Sequence, residues 1–281
     1  MRSRLTVLVA VIALVLTACS SAATPSPSSP PATNPPATGV SPGGAASGNL
    51  TIYAAASLKA ALAKAQTAYV AANPGTTFAI STDSSSALET KIAQGAPVDV
   101  FLSADTANPQ KLVDRGLAGA ITKFAGNHLT VIVPIANPAG IQTPADLAKS
   151  GVKIIAAGDT VPITKYATQL VADLAKESGY PADFVAKYTA NIASKEDNVA
   201  AVVSKVELGE GDAGIVYATD AKASTKVTTI AVPDPANVPA TYGGVVVKAS
   251  ANAAAAGAFL AWLAGPDGQA ILAGFGFLPP S

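Results

Sequence analysis

The sequence predicts an α/β fold in which mostly parallel sheets are covered by helices. Short β-prone runs alternate with helix-spaced segments from residue 50 to residue 264. Gly and Pro close the helical segments, as at Asn73-Pro74-Gly75, Gly95 and Gly116. About 230 residues rich in Ala, Val, Leu and Ile are enough to bury one or two cores. Two lobes fit that length, and no internal repeat is visible.

Leu50-Thr51-Ile52-Tyr53-Ala54 is the first β-prone run. Ser57-Leu58-Lys59 then opens an Ala-rich helix to about residue 72, with Leu58, Leu62, Ala65 and Tyr69 at helical spacing. Residues 77–81 form a second strand, and Ser84-Ser85-Ser86 precedes a helix that ends at Gly95. Residues 98–103 make a third strand and 109–115 a short helix; 129–133 is a fourth strand, stopped by Pro134. Thr143-Pro144 starts a short helix with Pro inside its first turn. Residues 153–156 are a strand, and Gly158-Asp159-Thr160-Val161-Pro162 leads into a helix over 163–178. Ser194-Lys195-Glu196-Asp197-Asn198 opens a helix over 199–208. Strands follow at 213–217, 227–232 and 241–247, and 251–264 is a final helix.

The N-terminal segment reads as an export signal. Arg2 and Arg4 precede an apolar run over 5–16, which ends in Leu16-Thr17-Ala18-Cys19. That tetrad resembles a bacterial lipobox, so residues 1–18 are expected to be removed and Cys19 to carry lipid. Cys19 is the single Cys in the sequence, which excludes an internal disulfide and any thiolate-built metal site. Residues 20–48 are Pro, Ser, Ala, Thr and Gly with almost no large apolar side chain, the composition of a disordered tether. Formal net charge is zero and no basic stripe interleaves with aromatics, so nucleic acid is not an expected partner.

Ligands of open α/β sheets bind beyond the carboxyl ends of strands, where the following helices start. Four such junctions present small or hydroxyl residues: Ala54-Ala55-Ala56-Ser57, Asp83-Ser84-Ser85-Ser86, Asp159-Thr160-Val161-Pro162-Ile163 and Lys195-Glu196-Asp197-Asn198-Val199. The first N–H groups of a helix lack internal partners and carry partial positive charge, so each junction is a candidate anion contact. Past the N-terminal segment Arg115 is the sole Arg, so a guanidinium cluster is excluded. Ser57, Ser85 and Tyr217 can add hydroxyl donors. Read singly, such a Ser is better explained by helix capping than by ligand binding, and Tyr217 by half-buried packing.

At these same residues the chain resembles the periplasmic molybdate-binding proteins of ABC transporters. Tyr53-Ala54-Ala55-Ala56-Ser57-Leu58 carries the likeness, then Ser84-Ser85-Ser86 and the run over 94–105. Gly126-Asn127-His128-Leu129, Gly158-Asp159 with Val161-Pro162, Gly214-Ile215-Val216-Tyr217, Gly265-Pro266 and Gly274-Phe275-Gly276-Phe277 follow in order. The resemblance implies a two-lobed type II periplasmic binding protein fold with mixed, mostly parallel sheets and a hinge. Lobe one would hold 49–129 and 239–281, and lobe two 130–238. It implies an anion site of Ser57 and Ser85 from one lobe and of Ile163 and Val199 backbone N–H groups with Tyr217 from the other. Thr164 or Val161 stands as an alternative donor to Ile163, because the 158–162 stretch is shorter than in the family; Asn198 is the alternative to Val199. The implied ligand is molybdate or tungstate, with sulfate the nearest alternative. The implied partner is an ABC transporter permease, and the expected form is a monomer outside the cytoplasm, anchored by lipid on Cys19, with no cofactor and no metal cation bound directly.

Other chemistry is poorly served. His128 is the single His and lacks the partners of a catalytic or metal site. Asp99 and Asp105 are expected in capping and turn roles. A secreted serine hydrolase would need a Gly-x-Ser-x-Gly or Ser-x-x-Lys arrangement, absent around Ser57 and Ser85. A small organic solute would call for an Arg or for aromatic platforms. No enzymatic activity is expected.

Overall fold

The computed structural model describes residues 48–280, within a compact unit spanning Gly44–Ser281. The expected export signal, Cys19 and the tether to residue 47 lie outside the described residues. Among the described residues no helix is long and apolar enough to cross a membrane.

In chain order the elements begin β1 (Asn49–Ala55), α1 (Lys59–Ala72), β2 (Thr77–Asp83), α2 (Ser85–Ala93), β3 (Val100–Ser103), α3 (Ala107–Asp114) and β4 (Thr122–Asn127). Next come β5 (Leu129–Pro134), β6 (Ile154–Ala157), α4 (Pro162–Leu174), α5 (Phe184–Ala190), β7 (Ile192–Glu196), α6 (Val199–Glu207), β8 (Ala213–Tyr217), α7 (Ala218–Ala223) and β9 (Val227–Ile230). The chain ends with β10 (Ala240–Val246), α8 (Ala253–Ala264) and α9 (Pro266–Gly274).

These elements build two five-stranded sheets of the same design, in the orders β2-β1-β3-β10-β4 and β7-β6-β8-β5-β9. Pairing is parallel at one side of each sheet and antiparallel around the fourth strand. All strands of a sheet therefore run one way except β10 in the first and β5 in the second. Each reversed strand follows a passage between sheets: β5 comes directly after β4, and β10 after the 231–239 segment. The two passages are tied together, because Leu129 N–H donates to Asn237 Oδ1 at 3.0 Å and Asn237 Nδ2 donates to the Leu129 carbonyl at 3.0 Å.

The sequence pattern explains the packing. Leu50, Ile52 and Ala54 alternate along β1 and are all buried. The stripe Leu58, Leu62, Ala65 and Tyr69 is buried as its spacing requires. Tyr69, Phe78, Phe259 and Trp262 meet edge-on at 4.9–5.8 Å between ring centroids, joining α1 and α8 over the first sheet. The outer edge of β4 is covered by the C-terminal tail, where Gly126 N–H donates to the Leu278 carbonyl at 2.6 Å and Leu278 N–H returns the bond at 2.9 Å.

Several elements differ from the sequence expectation. Lys195 and Glu196 lie in β7, not at a helix opening; β7 is an edge strand, and its polar, half-exposed side chains hide the β pattern. β4 carries Gly126-Asn127 in its last positions and reads as a turn in isolation. Gly265-Pro266 ends α8 but also starts α9, since Pro is at home in the first turn of a helix. The helices α5 and α7 are short and were not expected.

Gly268 sets the approach of α9 to α8. A Cβ there would lie 2.3 Å from the Leu263 carbonyl oxygen and 2.5 Å from its Cα. Backbone cannot step aside as a side-chain tip can. Gly268→Ala is therefore expected to lose about 3 kcal/mol of stability, the upper part of the range for overpacking. Urea denaturation should show the midpoint falling at unchanged slope; an unchanged midpoint refutes the packing argument.

Candidate functional site

One small cavity, of about 10 Å³, lies between the carboxyl ends of the two sheets. Ser57, Ser85, Ile163, Val199 and Tyr217, the five residues singled out from the sequence, all line it. One wall is the turn after β1 with the α2 start; the other is formed by the starts of α4 and α6 and the end of β8. The parallel strands point their carboxyl ends here, which is why junctions far apart in sequence meet.

Local bonding decides which groups face inward. Ser84 caps α2, its Oγ accepting from Ala87 N–H at 3.3 Å, so Ser85 is released from that duty. Ser85 is fully buried and its Oγ accepts from Ala104 N–H at 3.0 Å. Ser57 Oγ lies 2.9 Å from Tyr242 Oη. At the start of α4, Val161 N–H donates to the Gly158 carbonyl at 3.0 Å and Thr164 N–H to the Val161 carbonyl at 3.0 Å. The Thr164 hydroxyl donates to the carbonyls of Ala157 and Gly158. Ile163 N–H, in the first turn after Pro162, has no partner inside its own helix. At α6, Asn198 Oδ1 caps Ala201 N–H at 3.1 Å, and Val199 N–H is likewise without an intrahelical partner.

Tyr217 is buried, and its hydroxyl has no hydrogen-bond partner among the described residues. Its ring lies edge-on to Tyr242 at 5.7 Å and to Tyr166 at 6.3 Å. Burial, helped by the neighbouring Tyr242, Tyr166, Asp220 and Asp105, pushes this phenol well above its ordinary range. It therefore stays protonated and is a donor.

Asp83 is the carboxylate on the cavity wall. Burial works to raise it, but the Ser84 N–H at 2.8 Å, Lys91 at 3.1 Å and Asn198 at 3.4 Å outweigh burial and hold it below the usual range. Its charge is thus ionised and engaged. The Asn198–Asp83 bond spans the two walls, as does Ser86 Oγ to Thr160 Oγ1 at 3.4 Å. Among the described residues no group of three or more His, Cys, Asp or Glu side chains could hold a metal ion. Asp99 and Asp105 fasten the chain: Asp99 accepts from Thr51 N–H at 2.7 Å and Asp105 from Asn108 N–H at 3.0 Å. His128 uses only its backbone in described bonds, donating to Asn127 Oδ1 and accepting from Ala218 N–H.

Tyr242, Asn127 and Asp220, to which no sequence signal assigns a role, sit behind the wall. Asp220 has one carboxylate oxygen without a partner, and burial raises its pKa from 3.8 to about 7 against the lowering effect of the Tyr217 backbone bond. The folded state holds this proton where the unfolded state has released it. The stability contribution is full below about pH 4 and is lost as pH rises through about 7. Asp220→Asn is therefore expected to flatten the fall in melting temperature between those limits and to stabilise the protein at pH 8. An unchanged pH profile refutes the assignment.

A family profile described as bacterial extracellular solute-binding protein matches residues 50–278. The molybdate-binding protein ModA of Mycobacterium tuberculosis H37Rv is 34% identical over 234 residues, covering 83% of this chain and 85% of that one. A putative ABC transporter substrate-binding lipoprotein of Bacillus subtilis, YvgL, is 32% identical over 81% of this chain and 85% of its own length. The periplasmic molybdate-binding protein of Azotobacter vinelandii superposes with a TM-score of 0.70 at 25% identity, over 83% of this chain and all of that one.

Proposed function

The chain belongs to the family of bacterial extracellular solute-binding proteins, and from that premise we propose that it captures molybdate or tungstate outside the cytoplasm and delivers it to an ABC transporter. The observation that carries this reading is a wall of neutral donors whose carboxylate, Asp83, is already engaged by Ser84 N–H, Lys91 and Asn198. Ser57, Ser85, Ile163, Val199 and Tyr217 line one cavity, and the Tyr217 hydroxyl is buried without a partner among the described residues. A fully ionised tetrahedral oxyanion carries no protons and asks for donors alone. Helix N-termini supply the balancing charge without Arg. The identity with molybdate-binding relatives supports the same choice.

At about 10 Å³ the cavity has room for roughly one water-sized body, less than a tetrahedral oxyanion occupies. Entry and occupancy therefore need the walls to separate. In our reading, residues 49–129 with 239–281 form one lobe and 130–238 the other, hinged at the two passages between the sheets. Lipid on Cys19 holds a monomeric protein at the membrane beside the permease; the likeness to a relative named as a lipoprotein supports this. The protein transforms nothing and needs no cofactor; molybdate is its cargo.

Calorimetric titration with molybdate, tungstate, sulfate and hydrogen phosphate tests the assignment. Molybdate and tungstate are expected to bind tightest and hydrogen phosphate weakest. Binding to the native state should also raise the melting temperature by mass action. Sulfate binding as tight as molybdate would reassign the ligand, and binding of none of the four would overturn the reading.

A further inference from the structure

We infer that Asn127 and Tyr242, a pair behind the cavity wall, fix the direction of the Ser57 hydroxyl and so make the site accept only proton-free oxyanions. The inference rests on the oxyanion reading given above and names how that site selects its ligand.

Two links of this chain of bonds have a fixed direction, and they set the direction we assign to the third. Asn127, the last residue of β4, accepts a hydrogen bond from His128 N–H at its Oδ1, 3.0 Å away. A backbone N–H can only donate, so the amide orientation is fixed and not a matter of assignment. Asn127 Nδ2 then faces Thr219 Oγ1 at 2.8 Å and Tyr242 Oη at 3.3 Å. An amide nitrogen can only donate, so the Tyr242 oxygen accepts there. Ser57 Oγ and Tyr242 Oη lie 2.9 Å apart and either can donate; with Tyr242 Oη accepting from Asn127, Ser57 Oγ is the acceptor we assign to the Tyr242 proton. Ser57 in turn receives that bond, and its own proton is left for the cavity it lines. Tyr242 is fully buried, and burial pushes its phenol well above the ordinary range, so this proton does not leave.

The other hydroxyls are set the same way by different means. Ser85 Oγ is already an acceptor for Ala104 N–H, and Tyr217 Oη carries a proton with no partner among the described residues. A hydrogen phosphate brings a P–OH proton and needs an acceptor. The acceptor on this wall is Asp83, whose oxygens are engaged by Ser84 N–H, Lys91 and Asn198. Molybdate brings no proton and needs only the donors that line the cavity. Tyr242 and Asn127 are thus positioning residues that act through Ser57.

A double-mutant cycle read by calorimetry tests this. Tyr242→Phe is expected to weaken molybdate binding about tenfold when Ser57 is present and less than about twofold in the Ser57→Ala background. Asn127→Asp keeps the bond from His128 but replaces the donor toward Tyr242 with an acceptor. It should draw the Tyr242 proton away, turn Ser57 toward Tyr242, and raise the ratio of hydrogen phosphate to molybdate affinity about tenfold. That rise should vanish in the Ser57→Ala background, where the residual loss reports the added charge alone. Equal losses in both backgrounds, or an unchanged ratio in Asn127→Asp, overturn the inference while leaving the functional reading intact. An unaltered chain that binds none of the four oxyanions overturns both.

Discussion

Tyr217→Phe is expected to weaken molybdate binding roughly 10- to 150-fold while leaving the unliganded protein as stable as before, or more stable. The two halves of this expectation have one cause. The Tyr217 hydroxyl is buried and has no partner among the described residues. A buried polar group without a hydrogen bond costs about 1–3 kcal/mol, so its removal does not harm the fold. In the proposed site the same hydroxyl bonds a dianion, and losing a bond to a charged group costs about 1.5–3 kcal/mol, which is the fold-change given. Titration measures the first effect and urea denaturation without anion the second. A variant that binds unchanged removes Tyr217 from the site. A variant that binds weakly and also unfolds early would mean that the hydroxyl has a structural partner.

Ser85→Ala should behave differently, losing affinity and stability together. Ser85 is fully buried, and its Oγ has a structural task besides facing the cavity: it accepts the Ala104 N–H at 3.0 Å. Removing the oxygen strands that N–H, at about 1–3 kcal/mol of folding stability. In the proposed site it also deletes a donor to the anion, so affinity should fall by at least about tenfold. Ser85→Thr keeps the oxygen and should preserve the Ala104 bond, separating the two effects. Ser85→Ala with full stability would show that Ala104 N–H finds another acceptor. With Tyr217→Phe, the pair distinguishes a polar group held ready for a ligand from one that the fold also uses.

Much of the candidate site was legible because it is built from local signals repeated at separate places. A strand end, a small or hydroxyl residue and a helix start can be read within a few residues, as at Ala55-Ala56-Ser57 or Val161-Pro162-Ile163. The structure brings these separate junctions to one cavity. The supporting layer was not legible. Tyr242 reaches Ser57 across 185 positions, and Asn127 reaches Tyr242 across 115, so no spacing rule connects them. Gly126-Asn127-His128 stood out as a motif, yet its task depends on which way one amide points, and that is decided by a backbone bond. The sheet wiring was hidden for a similar reason. β10 pairs with β3 and β4 although it is distant from both in sequence. The edge strand β7 was missed because its Ser, Lys and Glu side chains answer to solvent and to ion pairing with Lys205, not to a core.

The late insertion of β10 also decides when the molecule can be finished. Everything in the second sheet comes from one uninterrupted stretch, so it can complete itself as soon as residue 230 is available. The first sheet cannot. β4 has no strand neighbour other than β10, and its outer row of backbone groups waits for Leu278. During synthesis, half of the protein stands as an unclosed seam until β10 and Leu278 arrive. Long-range closure of this kind is slow, and open strand edges invite pairing with other chains. A premature stop after β9 would therefore yield a finished second sheet attached to an unfinished, aggregation-prone first one, and not a shorter working binder.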